Sequence, residues 1–197
     1  AKPIVGVARV GMIRSTEPPR GKVVAREDWY DYVARTDLPT IAVLQDIDGR
    51  MGYGAYWGEV QSTVHKALGC AGCVTNGSFR DLDAWAPGFQ MIGGRVGPSH
   101  AWVHMVDFGK PVNIFGMQVG HDDVMHADFH GAVVIPADSV KKLPAVIEHL
   151  WGSLEEAEKA SAQAGQHAQS IKDSEKVLSK TLQDVDRLRD AVAALSA

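Results

Sequence analysis

Gly69-Cys-Ala-Gly-Cys-Val-Thr-Asn-Gly-Ser-Phe-Arg80-Asp81-Leu82-Asp83 decides how the 197-residue chain is read. The small and apolar residues after Gly69 predict a buried strand ending at Asn76-Gly77. That strand delivers Arg80 and Asp81 just beyond its end, where α/β proteins build sites. An adjacent Arg and Asp can divide labour: the guanidinium binds a carboxylate as a bidentate fork, and the neighbouring carboxylate holds a hard divalent cation. A plain surface ion pair in a turn is the competing reading.

Working outward, Tyr56 to Leu68 predicts a helix with Val60, Val64, Ala67 and Leu68 on one face and Gly69 as its stop. β-branched apolar clusters at Ile4-Val10, Thr40-Leu44, Cys73-Thr75, Val112-Val119 and Ala132-Ile135 predict short strands between Gly and Pro turns. Helices between early strands and Gly-rich strands later predict a mixed α/β layer architecture, not a simple doubly wound sheet. Every Trp, Tyr and Phe lies at or before Trp151, and the composition turns to Ala, Ser, Glu, Lys and Gln from Gly152 onward. The expected organisation is therefore a domain over 1-151 and a helical extension over 152-197. In that extension Ile171, Leu178, Val185 and Val192 recur every seven residues, with Leu188 and Leu195 three positions on. This is a seam for another helix, either within the assembly or as a recognition coiled coil.

Hydrophobic residues make up 45% and charged residues 22%, which excludes disordered and fibrous classes. A net charge of -4 without a strongly basic block argues against nucleic acid as the partner. No apolar run is long enough for a bilayer-spanning helix, and Ala1 to Arg9 lacks the apolar core of a signal peptide, so a cytoplasmic location is expected. The chain starts at Ala1 without an initiator Met, so a fragment or a processed chain is expected.

The ordered set Trp57-Gly58-Glu59, Gly69-x-x-Gly72, Asn76-Gly77-x-x-Arg80-Asp81-x-Asp83, Gly88-Phe89, Val106-Asp107-Phe108-Gly109 and His130-Gly131-Ala132-Val133-Val134-Ile135-Pro136 resembles the family of the regulator of ribonuclease activity A (RraA). That family also contains the 4-hydroxy-4-methyl-2-oxoglutarate / 4-carboxy-4-hydroxy-2-oxoadipate aldolases. The likeness covers residues 4 to 150. It implies a swivelling β/β/α fold, phosphohistidine-domain-like and three-layered, assembled as a trimer or hexamer with sites between subunits.

The resemblance also implies a function: a lyase, acting as a class II-type pyruvate aldolase, an oxaloacetate decarboxylase, or both, on a small 2-oxo acid. In aldolase members the Asp of the Arg-Asp pair, here Asp81, holds Mg or Mn. The Arg, here Arg80, contacts the pyruvoyl carboxylate and keto oxygen. An acidic residue after a Gly, here Gly58-Glu59, orients metal-bound water. Glu59 stands where the best-known aldolases carry Asp, which keeps the charge and lengthens the reach. Ala84 replaces an acidic residue common in the family, and the helical segment usual before the first strand is missing or replaced by the C-terminal helix. Aldolase members recruit a C-terminal acid from the adjacent subunit, and Glu155 and Glu156 lie in that region, with no motif fixing which of them, if either, serves. Both cleavage and decarboxylation pass through a pyruvate enolate, stabilised in a water-poor cleft. The alternative is a non-catalytic regulator that docks on an RNA-degradation enzyme. A methyltransferase activity, a label once given to this family, lacks its nucleotide-binding loop here.

Arg95 can supply a second carboxylate contact or an ion pair, and His100 lies in a loop that borders the site in the family. His100 and His104, like His126 and His130, are spaced by four and, with His121, Asp122, Asp123 and Asp128, raise a zinc or iron site. On extended chain that spacing separates the rings by about 13 Å, too far for one metal. Cys70 and Cys73 lack the sequence context of a thioredoxin-like redox pair and read as small buried thiols. Gly93-Gly94 reads as a turn that lets backbone approach the cleft.

Overall fold

The computed structural model describes residues 2–21 and 23–195, with the side chains of helix residues 184 and 186–195 outside that description. Two compact units divide the chain, 1–141 and 142–197.

In the first unit, β1 (Ile4–Arg14), β2 (Thr40–Asp46) and β4 (Cys70–Phe79) run parallel side by side. These strands are largely buried because both faces are covered. β3 (Ala55–Trp57) and β5 (Gln90–Val96) flank β4 in parallel. β6 (His104–Phe108) and β9 (Val124–Asp128) pair antiparallel with the two halves of β1, and β10 (Gly131–Ile135) completes the sheet against β9. A separate hairpin joins β7 (Val112–Ile114) to β8 (Met117–Val119).

Alternation along the strands sorts the core into two layers. Ile41 and Val43 of β2, with Ala8, Val10 and Val74, pack on the hairpin residues Val112, Ile114 and Val119. Ala42 and Leu44 face the other way, onto an aromatic layer built from Trp29, Tyr32, Trp57 and Phe89. Two helices cover that side: α1 (Arg26–Val33), which buries Trp29, Tyr32 and Val33 at helical spacing, and α2 (Glu59–Ala67). The layers thus run hairpin, sheet, helices. The mixed α/β architecture expected from the strand clusters is present.

α2 starts later than the periodicity predicts, because Tyr56 and Trp57 belong to β3. Its buried face is also different: Gln61, Ser62 and His65 are inside, whereas Val60 is 66% exposed. Polar anchors explain the rotation. The Ser62 hydroxyl accepts the Ala86 N–H and donates to the Glu59 carbonyl, and Gln61 accepts the Tyr30 hydroxyl. His65 Nε2 accepts the indole N–H of Trp29 at 2.8 Å, and Nδ1 lies 2.8 Å from the Gln61 carbonyl as its donor. The strand from Gly69 runs on to Phe79 instead of ending at Asn76-Gly77. Gly93 and Gly94 lie within β5, not in a turn: a Cβ on Gly93 would meet the Phe79 ring at 2.4 Å, and one on Gly94 the Asn76 carbonyl oxygen at 2.4 Å.

The second unit is a single helix of 53 residues, α4 (Leu143–Leu195), preceded in the chain by the short turn α3 (Ala137–Val140). It begins nine residues before the compositional break at Gly152. Aromatic content marks which side chains a segment buries, whereas a helix is set by backbone pairing, so Leu150 and Trp151 are helical although they resemble the domain before them. Of the seven-residue repeat, Ile171, Leu178 and Val185 are exposed. Leu188, Val192 and Leu195 lie outside the described side chains. No helix among the described residues is long and apolar enough to cross a membrane.

Candidate active site at the end of β4

Four of the residues singled out from sequence meet where β4 ends and α2 begins. Arg80 is held by backbone on two sides: its N–H donates to the Trp57 carbonyl at 3.0 Å, and its Nη1 to the Ala55 carbonyl at 2.6 Å. The Trp85 indole donates to the Arg80 carbonyl at 2.7 Å. Arg80 Nε faces Asp81 Oδ2 at 3.4 Å, and the same oxygen accepts the Glu59 N–H at 3.1 Å. Asp81 thus caps the first turn of α2, where the helix dipole favours negative charge. Its backbone sits at φ 54°, a left-handed conformation that Asp tolerates better than most residues.

Gly58 completes the cradle by having no side chain. A Cβ there would stand 2.4 Å from Asp81 Oδ2 and 3.2 Å from Arg80 Cγ. The resulting arrangement places a half-exposed carboxylate, a fixed guanidinium and the exposed Glu59 side by side. Val60 and Leu82, the residues next to Glu59 and Asp81, are exposed apolar side chains.

Arg95 and His100 line two further cavities. Arg95, on β5 opposite Ser78, lines a cavity of about 530 Å³ with Arg50, Tyr53 and Trp102. His100 lines a smaller cavity of about 160 Å³ with Tyr56, Gln61 and His104. Among the described hydrogen bonds and ion pairs, neither reaches Arg80, Asp81 or Glu59. Glu155 and Glu156 belong to the second unit.

Sequence reading misses the buried supports behind the site. The Asn76 amide bridges β4 to the end of β2, accepting the Asp46 N–H at 2.7 Å and donating to its carbonyl at 3.0 Å. The Asp46 carboxylate accepts the Gly52 N–H at 2.6 Å and the Asp48 N–H at 3.0 Å, and burial pushes it above the usual carboxylate range. Burial also acts on Asp48, but the N–H groups of Ser15 and Thr16 outweigh it and hold this carboxyl low. An Asn in a strand facing an Asp-rich loop is the available signal. Cys70 and Cys73 are free, buried thiols, both pushed up by burial. Among the described residues, no three His, Cys, Asp or Glu gather as a metal-ligand cluster.

The family model described as RraA-like, Aldolase/RraA, matches residues 21–134, more than half of the chain. The chain belongs to the RraA-like family. Solved structures agree on the fold. Streptomyces coelicolor RraAS2, described as an unusual member of the RNase ES inhibitor RraA family, is 22% identical with a TM-score of 0.59, over 78% of this chain and 76% of that one. The RNA-processing inhibitor RraA from Thermus thermophilis is 16% identical with a TM-score of 0.52, over 68% of this chain and 76% of that one. An uncharacterized protein from Pseudomonas syringae pv. tomato is 18% identical with a TM-score of 0.59, over 78% of this chain and 68% of that one. No curated protein matches. The Gly58, Glu59, Arg80 and Asp81 cradle lies inside the RraA-like match.

Proposed function

We propose that this RraA-like protein is a cytoplasmic, divalent-metal-dependent lyase. It cleaves a C–C bond of a small 2-oxo acid by aldol cleavage of a 4-hydroxy-4-methyl-2-oxoglutarate type, decarboxylation of oxaloacetate, or both. The observation that carries the reading is the shared Asp81 oxygen, fixed by the Glu59 N–H and by Arg80 in a cradle that only Gly58 leaves open.

The donor set fits a hard cation. One directly available carboxylate, Asp81, with Glu59 beside it, suits Mg or Mn, which keep several waters and take remaining oxygens from substrate. It does not suit a four-ligand zinc site. Bound there, the ion supplies Lewis-acid stabilisation of charge on the substrate oxygens. Arg80 receives the substrate carboxylate in a fork and, being pinned by Ala55 and Trp57, stays aimed at the charge that develops on the keto oxygen. The bond next to the pyruvoyl unit breaks with its electron pair passing into the pyruvate enolate, and in aldol cleavage the proton of the 4-hydroxyl passes to water held by Glu59 as the carbonyl forms. A carbonyl product or CO₂ leaves. Glu59, at the open edge of the cradle, holds the water that returns a proton to the enolate carbon. Exposed Val60 and Leu82 favour closure of this cleft by a neighbouring subunit in a trimer or hexamer. The alternative, an RraA-type regulator docking on an RNA-degradation enzyme, places no chemical demand on a guanidinium and a carboxylate held this way.

The test is pyruvate release from oxaloacetate and from 4-hydroxy-4-methyl-2-oxoglutarate, coupled to lactate dehydrogenase, with Mg or Mn and then with EDTA. Pyruvate formed only with metal is the expected result. No pyruvate from either substrate would favour the docking protein.

A further inference from the structure

We infer that α4 is a self-association module: its seam pairs lengthwise with the α4 of another copy of this chain. Extending the seven-residue repeat back through the helix puts Leu143, Leu150, Ala157, Ala164, Ile171, Leu178, Val185 and Val192 at one heptad position. The position three residues on runs from Val146 to Leu195 and is likewise free of Asp, Glu, Lys and Arg. All fifteen such residues of Leu143–Leu195 fall at the five remaining positions. A strip kept free of charge over 53 residues is built to be covered.

Length identifies what covers it. A 53-residue helix extends about 80 Å at 1.5 Å per residue. A globular domain of the first unit's size is only about 40 Å across, so one such body cannot cover the whole strip. A second α4 matches it in length and in repeat, and a repeat of seven is what two supercoiling helices share.

The area is sufficient. Ile147, Leu150, Leu154, Ile171, Leu178, Leu182 and Val185 are each 47% exposed or more and lie on or beside the seam. At roughly 60–120 Å² of apolar surface per buried aliphatic side chain, these seven residues supply about 400–800 Å² on each copy, the upper end of which matches the roughly 800 Å² per partner of a stable interface. The opposite face is wet: exposed Gln169 hydrogen-bonds exposed Asp173 across one turn at 3.1 Å.

Ile171 lies two residues from the helix midpoint, so lengthwise pairing brings its two copies within about one turn, whether the helices run parallel or antiparallel. Full-length Ile171→Cys, treated with a short bis-maleimide, should give covalent dimers on a denaturing gel. Gln169→Cys, on the outer face, should give at least fivefold less, and Cys70 and Cys73 are too buried to contribute. Adding Leu178→Lys should reduce the Ile171→Cys cross-link at least fivefold, while Lys176→Glu on the outer face leaves it unchanged. Equal cross-linking at 169 and 171, no cross-link at 171, or indifference to Leu178→Lys would each overturn the inference. None of these readouts involves pyruvate, so they stand or fall apart from the lyase reading.

Discussion

At Gly58 the missing side chain is the functional feature. A Cβ at this position would stand only 2.4 Å from Asp81 Oδ2, so Gly58→Ala must push the carboxylate off the Glu59 N–H. Displacements of this size cost about 100-fold in rate when a reacting group is misplaced. Gly58→Ala should therefore lower kcat/KM for pyruvate release by about that factor. Asp81→Ala should abolish metal-dependent turnover outright. Because Asp81 also caps α2, the variant should lose about 1 kcal/mol of stability in urea unfolding while still assembling. Arg80→Lys keeps the charge but not the fork, and a loss of about 100-fold or more is expected. Near-wild-type kcat/KM in Arg80→Lys would remove Arg80 from the chemistry.

At the scale of elements, α2 shows where sequence legibility stops. Strands β1, β2, β4 and β10 are readable as β-branched clusters, and the pairing of Arg80 with Asp81 follows from chain neighbourhood. The approach of Gly58-Glu59 to that pair is implied only by family resemblance, because no local pattern encodes a contact across more than twenty residues. β7 and β8 read as one strand, since their apolar residues run on through a turn marked only by Phe115 and Gly116, both at positive φ. β5 is hidden by Gly93 and Gly94, which look like a turn and instead make room for Phe79 and Asn76. The face of α2 is misread because apolar periodicity takes no account of polar side chains that find buried partners. His65 is the clearest case: burial pushes its pKa down from the ordinary 6.5 to about 4, so it folds neutral. The unfolded chain therefore binds this proton first, and stability is complete above pH 6.5 and falls as pH drops toward 4. The slope should be about 1.4 kcal/mol per pH unit in that window, approaching 3 kcal/mol in all. Urea unfolding at about pH 7.5 and about pH 5.5, one value above that window and one inside it, measures the slope. In His65→Gln the protein should be weaker at the higher pH but flatter between the two. An unchanged slope would assign the acid sensitivity to groups other than His65.

For the whole molecule, the division after Lys141 separates every residue of the candidate site from α4. The 1–141 unit contains both core layers, the α1 and α2 helices that cover one of them, and the hairpin that covers the other. A chain stopped after Lys142 should accordingly keep its near-UV circular dichroism and melt within about 3 °C of the full chain, a shift below 1 kcal/mol for a domain of this size. Its far-UV helical signal should fall by the share of a 53-residue helix. Stopping after Trp151, at the compositional break, should behave worse. The remaining piece of α4 is shorter than the roughly 12–15 residues that make an isolated helix even marginal, and it leaves Val146, Ile147, Leu150 and Trp151 exposed as an apolar patch prone to association. Light scattering on both truncations separates the two boundaries. A clean oligomer for the longer chain and aggregation of the shorter one would show that the first turns of α4 belong to the domain before them.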